Sequence, residues 1–203
     1  MQLNSLFNWE SSSNNIEIIN SQIHGGSIDL FGKISVSNTN FIENSLLNFV
    51  LESDSSYLVD SNIEYGGQLN LNGILSVSNL NFSNNTGTFN VSNTDSLFIN
   101  ESTFELNSST GLHLNDVSNF LISNTVFNEN ISNQSGGSLL IENSTNGNLN
   151  NISIFNSLSN NYGGGIAFDN AHNISLDSVQ VNFCNAKFGG GISSRNSSLS
   201  FNG

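Results

Sequence analysis

Five carboxylates stand where an alternating pattern turns side chains outward or into a turn: Asp29, Asp116, Glu142, Asp169 and Asp177. Two such groups converging across about 5–9.5 Å could hydrolyse a glycoside, one as acid and the other as nucleophile or base. Adjacent turns of a repeated fold can supply such a pair from residues distant in sequence. Solvated carboxylates on turns are the simpler reading. His24, His113 and His172 lie in different settings: before a Gly pair, between Leu112 and Leu114, and in a turn-like stretch. Zinc requires three or four ligands at one point, and three scattered histidines do not provide them. No EF-hand or Gly-Gly-x-Gly-x-Asp calcium pattern appears either. Cys184 is the single cysteine, so no intrachain disulfide can form. It follows Phe183 in an apolar context and reads as a small buried hydrophobe. No catalytic, cofactor-binding or metal-ligating residue is assigned.

The chain has 203 residues with a net charge of −13, because Lys33, Lys187 and Arg195 are its only bases. Such a surface repels phosphate backbones, anionic lipid heads and polyanionic polysaccharides, so nucleic acid and electrostatic membrane partners are excluded as leading readings. Asparagine and serine make up roughly two-fifths of the residues, and proline is absent. Charged residues are only 9% while Ile, Leu, Val and Phe occur throughout, which argues against charge-driven disorder. The absence of proline suits a chain of paired strands, where a missing N–H would interrupt a ladder. The N-terminal stretch lacks a basic region followed by an apolar one, so no signal peptide is read there. No apolar run approaches the ~20 residues of a membrane span.

Two series of apolar positions run in step and must position whatever chemistry the chain carries. The first is an apolar-x-apolar unit, usually after glycine: Ile28/Leu30, Leu47/Phe49, Leu69/Leu71, Phe89/Val91, Leu112/Leu114, Leu139/Ile141, Ile166/Phe168, then Ile192. The second pairs alternating apolar residues with Asn two places later and an aromatic or its substitute three after that. It reads Ile16 to Ile23, Ile34 to Phe41, Leu75 to Phe82 and Phe120 to Phe127, with Glu101 in the Asn slot of Leu97 to Phe104. Around Phe155 and Phe183 the frame slips by about two residues. Period-two alternation over short runs means strands with one buried face. Strands too short to bury a face alone, recurring every 20–27 residues, stack as coils. The expected fold is an all-β, right-handed parallel β-helix of about eight coils, a single domain over 1–203.

In that fold Phe127 stacks on Phe104 below and Phe155 above. Asn130 occupies a left-handed bend, Gly136-Gly137 permits the turn into Leu139 and Ile141, and in-register asparagines form hydrogen-bonded ladders.

Phe127-x-x-Asn130 followed by Gly136-Gly137-Ser138-Leu139 resembles the paired FxxN and GGA[ILV] motifs of the polymorphic outer-membrane protein repeat family. FxxN recurs at Phe41–Asn44, Phe82–Asn85 and Phe104–Asn107; Gly-Gly-x-Ile/Leu recurs at Gly25–Ile28 and Gly66–Leu69, and Gly163–Ile166 and Gly189–Ile192 are GGGI. The residue after Gly-Gly is never Ala here. The resemblance implies a β-helical, surface-displayed passenger used for adhesion or recognition. Pectin-lyase-like enzymes are also parallel β-helices, but the Asn-Thr-Asp, Asp-Asp, Gly-His-Gly and Arg-x-Lys sets of the hydrolases are missing.

The expected function is therefore a non-catalytic extracellular or cell-surface module, part of a longer protein, for adhesion, ligand display or a structural stalk. Its partner would be a glycan or a surface protein, with no cofactor, and uncapped coils would allow end-to-end self-association. The alternative is a carbohydrate-active enzyme, a lyase or glycoside hydrolase. Eleven Asn-x-Ser/Thr sequons begin at Asn81, Asn84, Asn90, Asn100, Asn107, Asn130, Asn133, Asn143, Asn151, Asn173 and Asn196. With this composition chance alone supplies about nine.

Overall fold

Alternation and left-handed bends together wind the chain into a parallel β-solenoid of about eight turns. The structure is a computed structural model, and it describes residues 2–4, 8–51, 56–73 and 75–202. Every strand pairing within it is parallel, and each coil contributes to three faces. On the first face Ile28, Leu47, Leu69, Phe89, Leu112, Leu139, Ile166 and Ile192 stand in direct register. On the second, Val36, Leu58, Val77, Ile99, Ile122, Leu149, Leu176 and Phe201 do the same. The third carries Ile23, Phe41, Ile63, Phe82, Phe104, Phe127, Ile154 and Val181. Up to Ile166, Leu176 and Ile154 these columns belong to one continuous core; Ile192 and Val181 pack partly buried against it, and Phe201 is exposed. Burying each large side chain contributes about 1.5–3 kcal/mol, and those of the middle coils are covered by the coils above and below.

The third face shows where the frame slips. Phe104 and Phe127 stack with ring centroids 5.0 Å apart and planes at 12°. Phe82 lies 6.0 Å from Phe104, and Phe89 reaches across from the first face to meet both rings edge-on. Above Phe127, however, the inward slot belongs to Ile154 rather than Phe155, which pairs with Asn128. Val181 follows, and Phe183 points to solvent at a left-handed bend, φ +55°. The alternating phase of β-branched Ile152 and Ile154 overrides the aromatic spacing, since one residue of slip would turn the whole set outward.

The bends account for the Asn and Ser wealth. Between the second and third faces one left-handed residue occurs per coil: Asn20, Asn38, Asp60, Asn79, Glu101, Asn124, Asn151 and Ser178, all with φ of 47–53°. Asn is the residue most tolerant of this conformation after Gly, and Asn20, Asn38, Asn79, Glu101 and Asn124 are the residues at the Asn slot of the repeat frame. In five coils a Ser or Thr follows, turned partly or fully inward, and its hydroxyl donates to the carbonyl two residues back. Ser61 does so to Val59 at 2.7 Å and Thr125 to Ser123 at 2.8 Å. The same hydroxyl can accept from the coil below, as when Thr39 N–H donates to Ser61 Oγ. Exposed amides run along the bends as ladders, Asn196 to Asn170 to Asn143 being one, with links of 3.0 Å.

The FxxN asparagines do something different from the expected bend. The left-handed residue is the one before, Glu129 in that coil with φ +52°, and Asn130 itself is fully buried. Asn85, Asn107 and Asn130 form an interior ladder. The oxygen of each accepts a backbone N–H from the coil below, and the amide nitrogen donates to the carbonyl of Ile63, Phe82 or Phe104. Turning carbonyls at a tight corner would otherwise be buried without partners, at a cost of about 1–3 kcal/mol each. Gly136 is left-handed, φ +65°, as the turn into Leu139 demands.

Candidate functional site

From Leu112 onward the coils lengthen, and the extra residues build a wall. Phe89 and Leu112 are separated by 23 residues, Leu112 and Leu139 by 27. The inserted segments pair as a small parallel sheet of Ile131–Ser132, Leu158–Tyr162 and Asn185–Phe188 beside the outer side of the first face. The wall covers Leu140 and Ala167, which alternate outward yet are buried, because the turns at Gly136 and Gly163 fold against them.

A cleft of about 380 Å³ runs beside this wall. Asn90, His113 and Leu140 form its floor, and the segments 108–110 and 132–134 form its side. Its lining is hydroxyls and amides with a single imidazole and the side chain of Leu140. Farther along the same face, Glu142, Asp169 and Arg195 occupy one outward column on successive coils. His113 Nε2 lies 2.9 Å from Glu142 Oε2. Arg195 Nε donates to Asp169 Oδ1 at 2.9 Å, and its Nη2 contacts the second carboxylate oxygen. That guanidinium holds the Asp169 carboxyl below the usual carboxylate range.

An aromatic pair closes this end. Tyr162 and Phe188, adjacent in the wall, stack at 5.1 Å and 24°, and both remain exposed. The Arg195 guanidinium sits 5.7 Å from the Tyr162 ring, and Lys187 Nζ lies 5.3 Å from the Phe188 ring. Two of the three bases of the chain thus attend one aromatic pair, at distances where cation–π attraction acts.

The five outward carboxylates are not gathered into one site. Glu142 and Asp169 are neighbours, but Asp29 accepts from Asn48 far down the rod, Asp116 forms a left-handed bend, and Asp177 lies on the second face. His24 contacts Glu43 at 3.3 Å, and His172 contacts Asn170. Among the described residues no three potential metal ligands converge. Cys184 is half-buried against the core in the slot of Asn130 and Ser157 rather than fully enclosed, and burial pushes its thiol pKa up.

The repeat frame pointed to neither Tyr162 nor Phe188. Their separation of 26 residues, one coil in this part of the chain, is the signal that could have flagged them. No protein-family model, curated protein or solved structure matches the chain. The fold defines its class: a parallel β-solenoid, with a polar cleft beside the small sheet and an exposed aromatic pair within that sheet.

Proposed function

We propose that this chain is a non-catalytic, ligand-displaying module of an extracellular or cell-surface protein. Its rod serves as the stalk and its groove takes a neutral, hydroxyl-rich ligand, a glycan before a protein segment. The observation that carries this reading is a cleft lined mainly by hydroxyls and amides, together with the exposed Tyr162–Phe188 stack at a second, smaller pocket that shares Leu140 with it. Sugars present apolar ring faces to aromatic side chains and hydroxyls to amides, while the net negative charge disfavours polyanions. A plain spacer has no need of such a patch. Titration of neutral oligosaccharides from a glycan array, followed calorimetrically, tests it. Binding should fall at least tenfold in Tyr162→Ala with the melting temperature unchanged; no binding by any glycan or extracellular-matrix protein overturns it.

Hydrolysis is the second reading, favoured by the placement of Glu142 and Asp169 one coil apart, about 4.8 Å along the rod. Against it, His113 engages one carboxylate and Arg195 the other, and a carboxyl with lowered pKa is a poor proton donor at neutral pH. Release of reducing ends that disappears in Glu142→Gln would establish it.

End-to-end association is part of the same reading. Val179, Val181, Ile192 and Leu199 are only partly buried on the last coil, and Phe201 is exposed. A second copy stacking there would cover them, which a concentration-dependent sedimentation coefficient would reveal.

A further inference from the structure

The eleven sequons do not present equivalent asparagines. Asn143, Asn151, Asn173 and Asn196 are exposed left-handed bend residues. Each donates one amide hydrogen to an asparagine of the coil below: Asn143 to Asn115 at 2.9 Å, Asn151 to Asn124 at 2.8 Å, Asn173 to Asn146 at 2.8 Å and Asn196 to Asn170 at 3.0 Å. Asn107 and Asn130 also begin sequons, but they are 1% and 0% exposed. Their nitrogens donate twice: Asn107 to the Phe82 carbonyl at 3.1 Å and Asn130 Oδ1 at 2.8 Å, Asn130 to the Phe104 carbonyl at 2.9 Å and Ser138 Oγ at 3.4 Å.

N-glycosylation joins the amide nitrogen to a sugar anomeric carbon, displaces the lipid pyrophosphate carrier, and releases one proton from that nitrogen. One N–H remains. At the bends one N–H is all the ladder uses, and the sugar projects into solvent. At Asn107 or Asn130 the reaction removes a hydrogen that a buried partner needs and places a bulky polar group inside the core.

We propose that the fold divides its own sequons. Asn143, Asn151, Asn173 and Asn196 are glycan acceptors compatible with the closed coil, whereas a glycan on Asn107 or Asn130 prevents the coil from closing. Transfer to nascent chains precedes folding, so in a glycosylating compartment the buried pair acts as a checkpoint: only chains that escape modification there reach the native state. The inference is independent of what the groove binds.

The test is secretion of the chain from a eukaryotic cell, with Ser109→Thr and Ser132→Thr versions that strengthen the two buried sequons. Monomeric, protease-resistant protein is separated from retained or aggregated chains, and peptide mass spectrometry reads occupancy in each pool. The expected folded pool carries glycans at the bend asparagines and none detectable at Asn107 or Asn130, and the threonine versions lose yield of that pool severalfold. A folded molecule bearing a glycan on Asn107 or Asn130 overturns the proposal. So does a bend glycan found only among misfolded chains, or a secreted chain with all four bend sites empty. Unchanged folded yield in the threonine versions, with the buried sites occupied in the other pool, overturns the checkpoint.

Discussion

Asn107 Nδ2 donates to Asn130 Oδ1 across 2.8 Å in the fully buried corner between the third face and the first, 23 residues apart in sequence. The pair ties one coil to the next by side chain as well as backbone, at the place where the polypeptide turns and its carbonyls lose strand partners. Asn130→Ala should therefore cost about 3 kcal/mol or more, since it unpairs the Asn107 and Phe104 backbone groups. Asn44 is the comparison. Its amide reaches the Gly25 carbonyl, but its buried Oδ1 accepts no hydrogen bond among the described residues. Asn44→Ala should cost clearly less, about 1–2 kcal/mol. Urea unfolding of the two variants gives the comparison directly.

A glycine and an aromatic share one interior slot on the second face. Gly147 sits above Phe120, and a Cβ there would come within 2.0 Å of the ring. Gly147→Ala should destabilise by about 1–3 kcal/mol through overpacking. Phe120→Leu in the same chain should recover most of that loss, and a double-mutant cycle from denaturation midpoints measures the coupling.

Substitution of the three phenylalanines discriminates the observed frame from the one suggested by aromatic spacing. Phe104→Ala should cost about 3–5 kcal/mol. Phe155→Ala should cost far less, and Phe183→Ala should stay within about 0.5 kcal/mol, because that ring is 87% exposed. Equal large losses at Phe104 and Phe155 would contradict the register.

Much of this architecture was legible because two signals coincide in the chain: apolar alternation, and an Asn where a coil must turn left-handed. The frame marked Asn20, Asn38, Asn79 and Asn124 as recurring, and each is a left-handed bend, the role expected of Asn130 instead. FxxN misled by one residue, because a buried amide satisfying corner carbonyls and an exposed amide at a bend leave the same letter in the sequence. Phe155 misled because aromatic spacing carries less weight than strand phase. The groove was hidden for a different reason. Its wall comes from segments lacking strong alternation, and whether Tyr162 turns toward Phe188 depends on pairing that only the closed coil fixes.

Acid should weaken one contact selectively. Arg195 lowers the Asp169 pKa, so the stability this pair contributes is present above about pH 3.9, the unfolded value, and is lost as pH falls through the folded one. The pair is solvent-facing, so its contribution is small. Asp169→Asn should thus be slightly less stable than the parent at pH 6, with the difference shrinking once pH falls below the unfolded value and vanishing below the folded one. Urea midpoints across that range check the sign.

Coil-to-coil register is the claim on which the core, the ladders and the groove all rest, and cysteine pairing measures it most directly. In a Cys184→Ser background, Asn90→Cys with His113→Cys places two outward thiols on directly paired residues, about 4.8 Å apart along the rod and within the reach of a disulfide. Asn70→Cys with His113→Cys places them two coils apart. Under mild oxidation the first pair should close within one chain and the second should remain reduced. A reduced first pair, or ready closure of the second, would contradict the stacked solenoid.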